Sequence, residues 1–149
     1  MATERVIGPG EGVRGYSARG SAMLFKAIGE ADDGDFSLME RTLPPGGRRP
    51  PAHRHLNCSE AYFVLDGAVS VVVDGEEQLL RAEHFLLVPR GTAHTFGNAG
   101  SVQARLLVLH APAMDGYFAA LHELWHRDAP PSPDEERELM SRFGMRAAP

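Results

Sequence analysis

Residues 47–67 read GRRPPAHRHLNCSEAYFVLDG, and residues 89–98 read PRGTAHTFGN. Both stretches combine histidines with the prolines and glycines that mark turns, and both contain apolar residues typical of β-strands. In an extended segment, side chains two residues apart point to the same face, so His53 and His55 present both rings to one side. The two stretches therefore predict short strands that carry histidines toward a common interior.

Strand signals continue on both sides of these stretches. Eight short segments have apolar or alternating character: 22–28, 36–43, 61–65, 68–73, 78–80, 85–88, 92–96 and 102–109. Strands spaced this closely favour an antiparallel sandwich or barrel. Asp66-Gly67 and Asp74-Gly75 each lie between apolar runs, and Asp-Gly favours the positive φ angles of a tight hairpin. We therefore predict an all-β domain with two locally fixed hairpins.

The two ends of the chain differ from this β pattern. Residues 1–20 are rich in glycine and lack apolar periodicity, which predicts a flexible N-terminal arm. After Pro112, apolar residues recur three and four positions apart, which predicts a helix, and Ser132 with Glu135 predicts the capped start of a second helix. The expected organisation is an arm over 1–20, a β-barrel over 21–112, and helices over 113–149 that pack on the barrel or on a dimer partner.

Composition limits the class of protein. The chain has 149 residues, 23% charged and 43% hydrophobic, which suits one globular domain with a core. The formal net charge is −5 and the basic residues are scattered, so no surface for nucleic acid is predicted. The apolar runs are far shorter than a membrane span, the N-terminus lacks a signal-peptide core, and Cys58 has no disulfide partner. We expect a cytoplasmic protein that binds neither nucleic acid nor membrane.

Four residues of the quoted stretches could hold one metal ion. His53 and His55 share a face, Glu60 returns on the adjacent strand, and His94 follows the turn of the second stretch. Imidazole nitrogens and a carboxylate suit a divalent transition ion with open positions for water or substrate. We expect one ion per chain, and its identity stays open among iron, manganese, nickel, zinc, cobalt and copper.

This pattern resembles the two signature motifs of the cupin superfamily. The first motif, Gly-x5-His-x-His-x4-Glu-x6-Gly, is matched in full over residues 47–67, and the second is matched at Pro89, Gly91, His94 and Asn98. At Glu83-His84 the family has Gly-Asp instead, so we expect a different and wider turn there. The resemblance covers residues 36–110. It implies a jelly-roll barrel with the four ligands inside its mouth. We expect a homodimer from the glycine-rich arm, the apolar helix face around Trp125 and the family's habit of pairing barrels.

The resemblance also implies a range of activities. Members include dioxygenases of the quercetinase type, isomerases, decarboxylases and cyclases on small enolisable molecules, and non-catalytic binding modules. The complete ligand set favours metal chemistry, so we expect an oxygenase-like enzyme acting on a small enolic or aromatic metabolite. A non-redox cyclase, isomerase or decarboxylase is the alternative, and a small-molecule-binding protein is the third. Glu60 is the expected catalytic residue, since its carboxylate can leave the metal and carry a proton.

A second pattern competes for the metal. The segment from His122 to His126 reads HELWH, which has the spacing of a zinc-protease helix. The predicted helix ends directly afterwards, before Pro130, and the third histidine of such sites is missing. We therefore expect this helix face to pack on the barrel or on a second subunit.

Other candidates near the motifs are expected to be structural. Cys58 is expected to be a small buried residue. No ligand role is assigned to His84 or His110. Three arginines flank the first motif and are expected on the solvated surface, with attraction of an anionic substrate as the alternative: Arg48, Arg49 and Arg54. Three apolar residues share strand parity with the ligands and are expected to line the metal side of the cavity: Tyr62, Val64 and Phe96.

Overall fold

The computed structural model describes residues 4–29 and 34–149, whose strands form two antiparallel sheets around one hydrophobic core. The first sheet has six strands, in spatial order β1 (Arg14–Ala18), β2 (Ser21–Ala27), β3 (Ser37–Leu43), β10 (Ala104–Ala111), β5 (Ser59–Asp66) and β8 (Phe85–Val88). The second has five, in the order β11 (Met145–Ala147), β4 (His53–His55), β9 (His94–Asn98), β6 (Val69–Val73) and β7 (Glu76–Leu80). The predicted all-β barrel is confirmed.

Alternation along the strands decides which side chains enter the barrel. In β10, every second residue from Ala104 to His110 is buried, and the residues between them are partly exposed. β3 and β5 follow the same rule on either side of β10. The register places His110 opposite Glu60 on one side and Leu106 opposite Arg41 on the other. The first sheet therefore presents polar side chains to the interior at two positions, Glu60 with His110 at one and Arg41 at the other.

The two Asp-Gly turns have different structures. Asp74 and Gly75 have φ angles of 48° and 84° and join β6 to β7 in a tight hairpin, which confirms that prediction. Asp66-Gly67 is not a hairpin, because the chain crosses there from β5 in one sheet to β6 in the other. Gly67 has a φ of 77°, and a Cβ at this position would lie 2.8 Å from the carbonyl oxygen of Gln103. Glycine is required there by conformation and by space.

The turn at Glu83-His84 is tight, and the expectation of a wider turn was wrong. The backbone N–H of His84 donates to the carbonyl of Arg81 over 3.0 Å, and its ring Nδ1 accepts the N–H of Arg81 at 2.7 Å. Glu83 has a φ of 69°, and its N–H donates to the carbonyl of Val64. A non-glycine residue thus takes the left-handed conformation that glycine usually takes.

Both predicted C-terminal helices are present and pack against an edge strand of each sheet. Helix α1 spans Asp115–Trp125 and helix α2 spans Pro133–Arg142. α1 packs on β1 and on α2, and α2 packs on β11. No helix in the described ranges is long and apolar enough to cross a membrane.

Two strands lie in segments where the sequence indicated none. Residues 14–18, expected in the arm, form β1 and pair with β2 from Arg14 opposite Phe25 to Ala18 opposite Ser21. After α2 the chain returns as β11, which pairs with β4 so that Met145 lies opposite His55. The C-terminal segment therefore supports the short strand that carries two of the candidate ligands.

Candidate metal centre

Five buried polar side chains meet inside the barrel. They are between 1% and 4% exposed, and they come from four strands: His53 and His55 on β4, Glu60 on β5, His94 on β9 and His110 on β10. The register places His53 opposite His94 and Glu60 opposite His110. The structure thus brings the four residues predicted from sequence together and adds His110, to which no ligand role was assigned.

The histidine rings are close enough to share one ion. The ring centroids of His53 and His94 are 4.6 Å apart, those of His53 and His55 are 4.9 Å apart, and those of His55 and His94 are 5.3 Å apart. Each of these three offers a ligand atom within 4.8 Å of the others, and the same holds for the set of His55, Glu60 and His110. Since His55 belongs to both sets, the five residues form one continuous cluster.

Backbone carbonyls fix the tautomers of two of the rings. The Nδ1 of His53 donates to the carbonyl oxygen of Pro51 at 2.7 Å, and that of His94 donates to the carbonyl oxygen of Thr92 at 2.9 Å. A carbonyl oxygen only accepts hydrogen bonds, so Nδ1 carries the proton in each neutral ring. The lone pair is then on Nε2, which is the arrangement that orients a histidine toward a metal.

Several ring nitrogens of the cluster are buried without a hydrogen-bond partner among the described residues. They are both nitrogens of His55, Nε2 of His94 and Nδ1 of His110. The Nε2 of His55 lies 2.8 Å from Glu60 Oε2 and that of His94 lies 3.3 Å from Glu60 Oε1, yet neither contact has hydrogen-bond geometry. Buried polar atoms without hydrogen bonds are costly. A divalent ion fits this set of imidazole nitrogens and a carboxylate, and would complete it.

Electrostatics keep most of these groups in the protonation states that bind metals. Burial lowers the pKa of His53 to about 3, assisted by His94 and His55, and burial also lowers the pKa of His55. Burial acts to raise the pKa of Glu60, but His110 and the other histidines outweigh it and hold that pKa well below its usual range. For His94, the Glu60 carboxylate outweighs burial and raises the pKa.

His110 is the residue that motif spacing missed. Its Nε2–H donates a hydrogen bond to Glu60 Oε2, and both side chains are buried. The signal that could have found it is strand parity, because His110 continues the inward series of Leu106 and Val108 on β10. His110 therefore either supports the carboxylate or joins the ligands.

Residues of the cluster line a small cavity. The cavity is also lined by side chains from β3 and the two helices: Met39, Arg41, Tyr117, Phe118 and Met140. As the side chains stand, the cavity has room for about one water molecule. Phe96 lines this cavity as expected, whereas Tyr62 and Val64 belong to the core around it.

The remaining candidates near the motifs make structural contacts. Cys58 is buried, its Sγ lies 3.2 Å from Met114 Sδ, and burial raises the pKa of its thiol to about 12, so it stays protonated. The flanking arginines contact other parts of the chain: Arg48 lies over the Trp125 ring, Arg49 donates to Ser70, and Arg54 donates to the carbonyl of Gly91. The arginines that reach the cavity are Arg19 and Arg41.

The HELWH segment holds the helix against the barrel. His122 Nδ1 accepts the backbone N–H of Ser17 at 3.0 Å, and His126 Nδ1 donates to the carbonyl of His122 at 2.7 Å. Trp125 Nε1 donates to Glu136 Oε1 on α2 at 2.6 Å. Within the described residues, the groups of ligand atoms that converge lie in the barrel and not on this helix.

Comparison with known proteins agrees with the barrel and its motifs. The family model for the cupin domain matches residues 39–110. The crystal structure of TT1209 from Thermus thermophilus is 31% identical, with a TM-score of 0.51, over 54% of this chain and 76% of that one. The chain belongs to the cupin superfamily.

Two curated relatives carry names that refer to enzymes. Quercetin 2,3-dioxygenase of Bacillus subtilis (strain 168) is 32% identical over 66% of this chain and 30% of its own length. The tetracenomycin polyketide synthase protein TcmJ of Streptomyces glaucescens is 32% identical over 59% of this chain and 56% of its own length. The chain therefore spans about a third to just over half of the length of these relatives.

Proposed function

We propose that this cupin is a metal-dependent, oxygenase-like enzyme that acts on a small enolic or aromatic metabolite. Its centre would hold one divalent ion on His53, His55 and His94, with Glu60 beside it. The observation that carries the proposal is the convergence of buried ring nitrogens without hydrogen-bond partners around an ionised carboxylate. Similarity to quercetin 2,3-dioxygenase supports the oxygenase assignment.

The residues of the centre would divide the work between binding and proton transfer. An ion held there supplies Lewis-acid stabilisation of negative charge on an enol or carbonyl oxygen of the substrate. Glu60 is ionised and faces the same space, so its carboxylate accepts the enol proton. His110 holds that carboxylate through its Nε2–H. Phe96 and Phe118 keep bulk water away from the reacting group.

A non-redox cyclase, isomerase or decarboxylase is the second candidate. One observation favours it: the match covers more of the Streptomyces polyketide synthase protein than of the Bacillus dioxygenase, 56% against 30%. The same residues would serve such a reaction equally well, because an ion held there would supply the same charge stabilisation and Glu60 would return the proton to the substrate. The two candidates differ in whether oxygen is consumed.

An oxygen electrode separates the two candidates. The metal-free protein is loaded in turn with iron, manganese, nickel or zinc and given a panel of flavonol, diketone and catechol substrates. We expect oxygen uptake with at least one redox-active ion and none with zinc, which has no redox chemistry. Substrate conversion that is equally fast with zinc under argon would exclude the oxygenase and support the non-redox alternative.

Replacement of Glu60 by glutamine tests its role as a proton carrier. Because three histidines already provide a workable ligand set, we expect Glu60→Gln to retain the metal but to lower turnover by about 10²- to 10⁴-fold. Metal content by elemental analysis and turnover are measured on the same sample.

The matched control is Glu40→Gln on the outer face of β3, where Glu40 pairs with Arg105. This control should leave metal content and turnover unchanged. Full turnover in metal-replete Glu60→Gln protein would exclude the proton-transfer role. Loss of metal would show that Glu60 acts mainly as a metal ligand.

A further inference from the structure

Arg41 is a buried charge inside the barrel. It lies on β3 at an inward position, opposite Leu106 of β10, and only 3% of its surface is exposed. Its guanidinium carbon lies 5.0 Å from the centroid of the Phe96 ring. The side chain reaches the same cavity that the histidine cluster lines.

The guanidinium is oriented by the protein but is not neutralised by a carboxylate in contact with it. Its Nε donates to Ser21 Oγ at 2.9 Å, and that hydroxyl donates in turn to the carbonyl of Thr42. Its two terminal nitrogens make no hydrogen bond to any described residue. The other arginine of the cavity, Arg19, is different, because it forms an ion pair with Glu136.

A buried charge without a carboxylate partner is expensive. Burial lowers the pKa of Arg41 to about 9, and the charge of Arg19 contributes, so the group is still protonated at neutral pH. The acid inside the barrel, Glu60, already contacts His55, His94 and His110. The two terminal nitrogens of Arg41 are therefore hydrogen-bond donors without an acceptor, at a side chain that lines the cavity.

We propose that Arg41 binds a carboxylate group of the substrate and so selects anions for reaction at the histidine cluster. This inference rests on the proposed function, since it names the class of substrate for that site. The planar fork of arginine matches two oxygens of one carboxylate. Ser21 and Phe96 hold the fork in place, and the other end of the bound molecule faces His53, His55 and Glu60.

The cavity also limits how the anion enters. With room for about one water molecule, it accepts a larger group only if side chains from the helices, such as Phe118 and Met140, move outward. A small carboxylate is therefore the appropriate probe. Acetate and its neutral counterpart acetamide have the same shape and differ in charge.

The experiment is an NMR titration of zinc-loaded, ¹⁵N-labelled protein with sodium acetate, followed at the Arg41 Nε–H signal. Acetamide and sodium chloride at equal ionic strength are the reference titrations. We expect acetate to shift the Arg41 signal and the two references to leave it in place. Arg41→Met should weaken acetate binding by about 10- to 100-fold, as expected for loss of a charged hydrogen-bond donor.

The matched control is Arg105→Met, which removes an arginine from the outer face of β10, where it pairs with Asp66 and Glu40. It should bind acetate as the wild type does. The wild-type shift needs no variant, so the test stands even if Arg41→Met folds poorly. No shift at any acetate concentration that keeps the protein folded, an equal shift with chloride, or unchanged affinity in a folded Arg41→Met protein would each overturn the inference.

Zinc content measured on the same samples separates the two hypotheses. If zinc is bound but acetate does not contact Arg41, the substrate inference fails and the metal enzyme stands. If the protein holds no zinc, the proposed function fails, and the acetate titration of the metal-free protein still decides whether Arg41 binds anions.

Discussion

His53 and His94 show how two backbone carbonyls orient the rings of the candidate metal centre. Each ring donates its Nδ1–H to the carbonyl two residues earlier in the chain, at Pro51 and Thr92. The loops that precede the two strands therefore set the tautomer and direct Nε2 into the cluster. Because hydrogen bonds to the backbone orient both rings before any ion arrives, little reorganisation is needed for binding.

The low pKa of His53 predicts how stability depends on pH. In the unfolded chain its pKa is the ordinary 6.5, whereas burial lowers it to about 3 in the folded protein. Above pH 6.5 the ring is neutral in both states and does not oppose folding. As the pH falls from 6.5 toward 3, the ring gains a proton in the unfolded chain but not in the folded protein, so stability is lost. We expect His53 alone to reduce the free energy of unfolding of the metal-free protein by about 2 kcal/mol on going from neutral pH to about pH 5.

Urea unfolding of wild type and His53→Asn at both pH values measures this contribution. The variant lacks the titrating ring, so its stability should decline less between neutral and acid pH. The other titratable groups are present in both proteins, so the difference between the two losses reports on position 53. Identical losses in the two proteins would show that His53 is not held neutral by the fold.

The sequence predicted four residues of the centre because motif spacing and strand parity agree at each of them. His53 and His55 alternate across Arg54, and His94 follows a recognisable turn. Arg41 and His110 were not found, although both continue inward alternation on β3 and β10. They are charged or polar residues, and strand parity shows only that they point inward. The roles of Arg41 and His110 depend on contacts with residues that lie far away in the sequence.

Helix α2 shows that a local signal can determine an element. Ser132 Oγ accepts the N–H of Glu135 at 3.2 Å, and the Glu135 side chain accepts the N–H of Ser132 at 3.1 Å. This capping box satisfies two donors at the start of the helix, directly before Pro133. The helix then carries Met140 to the cavity wall.

Removal of the cap should destabilise the protein measurably. We expect Ser132→Ala to lower the free energy of unfolding by about 1 kcal/mol, because one backbone donor at the helix start loses its acceptor. Ser141→Ala on the same helix is the control, since its exposed hydroxyl donates only to the carbonyl of Glu138. Urea unfolding should separate the two variants, and equal stabilities would show that the box does not hold the helix.

The elements that local pattern did not predict depend on distant partners. β1 contains Gly15 and polar residues, and its order comes from pairing with β2 and from α1. β11 has three residues and pairs only with β4. Asp66-Gly67 has the residues of a hairpin but joins two sheets. Strand formation at such sites is decided by tertiary contacts, which a local pattern does not contain.

At the scale of the whole molecule, one sheet face is strongly apolar. The outward side chains of β8 include Phe85 and Leu87, which are 62% and 55% exposed, beside Phe63 of β5 at 37%. β8 is also an edge of the six-stranded sheet. Exposed apolar patches and free sheet edges are typical of association surfaces. The Trp125 face, in contrast, is used within the chain by Glu136 and Arg48.

We therefore propose that the homodimer expected from the resemblance forms through β8 and its apolar neighbours. Light scattering should give a mass twice that of the 16.2 kDa chain. Phe85→Glu combined with Leu87→Lys should yield a monomer, because charges replace the apolar contact. Leu79→Glu on β7, an exposed leucine at the edge of the other sheet, is the control and should stay dimeric. A monomeric wild type at micromolar concentration would exclude the dimer.

The metal content of the purified protein tests the central claim most directly. Elemental analysis is carried out on the wild type, on His53→Ala and His94→Ala, and on a double variant that replaces His122 and His126 by alanine. The barrel centre predicts close to one divalent ion per wild-type chain, loss of that ion in either single variant, and full retention in the double variant. A wild-type metal content in both single variants, or loss of metal from the double variant alone, would contradict it.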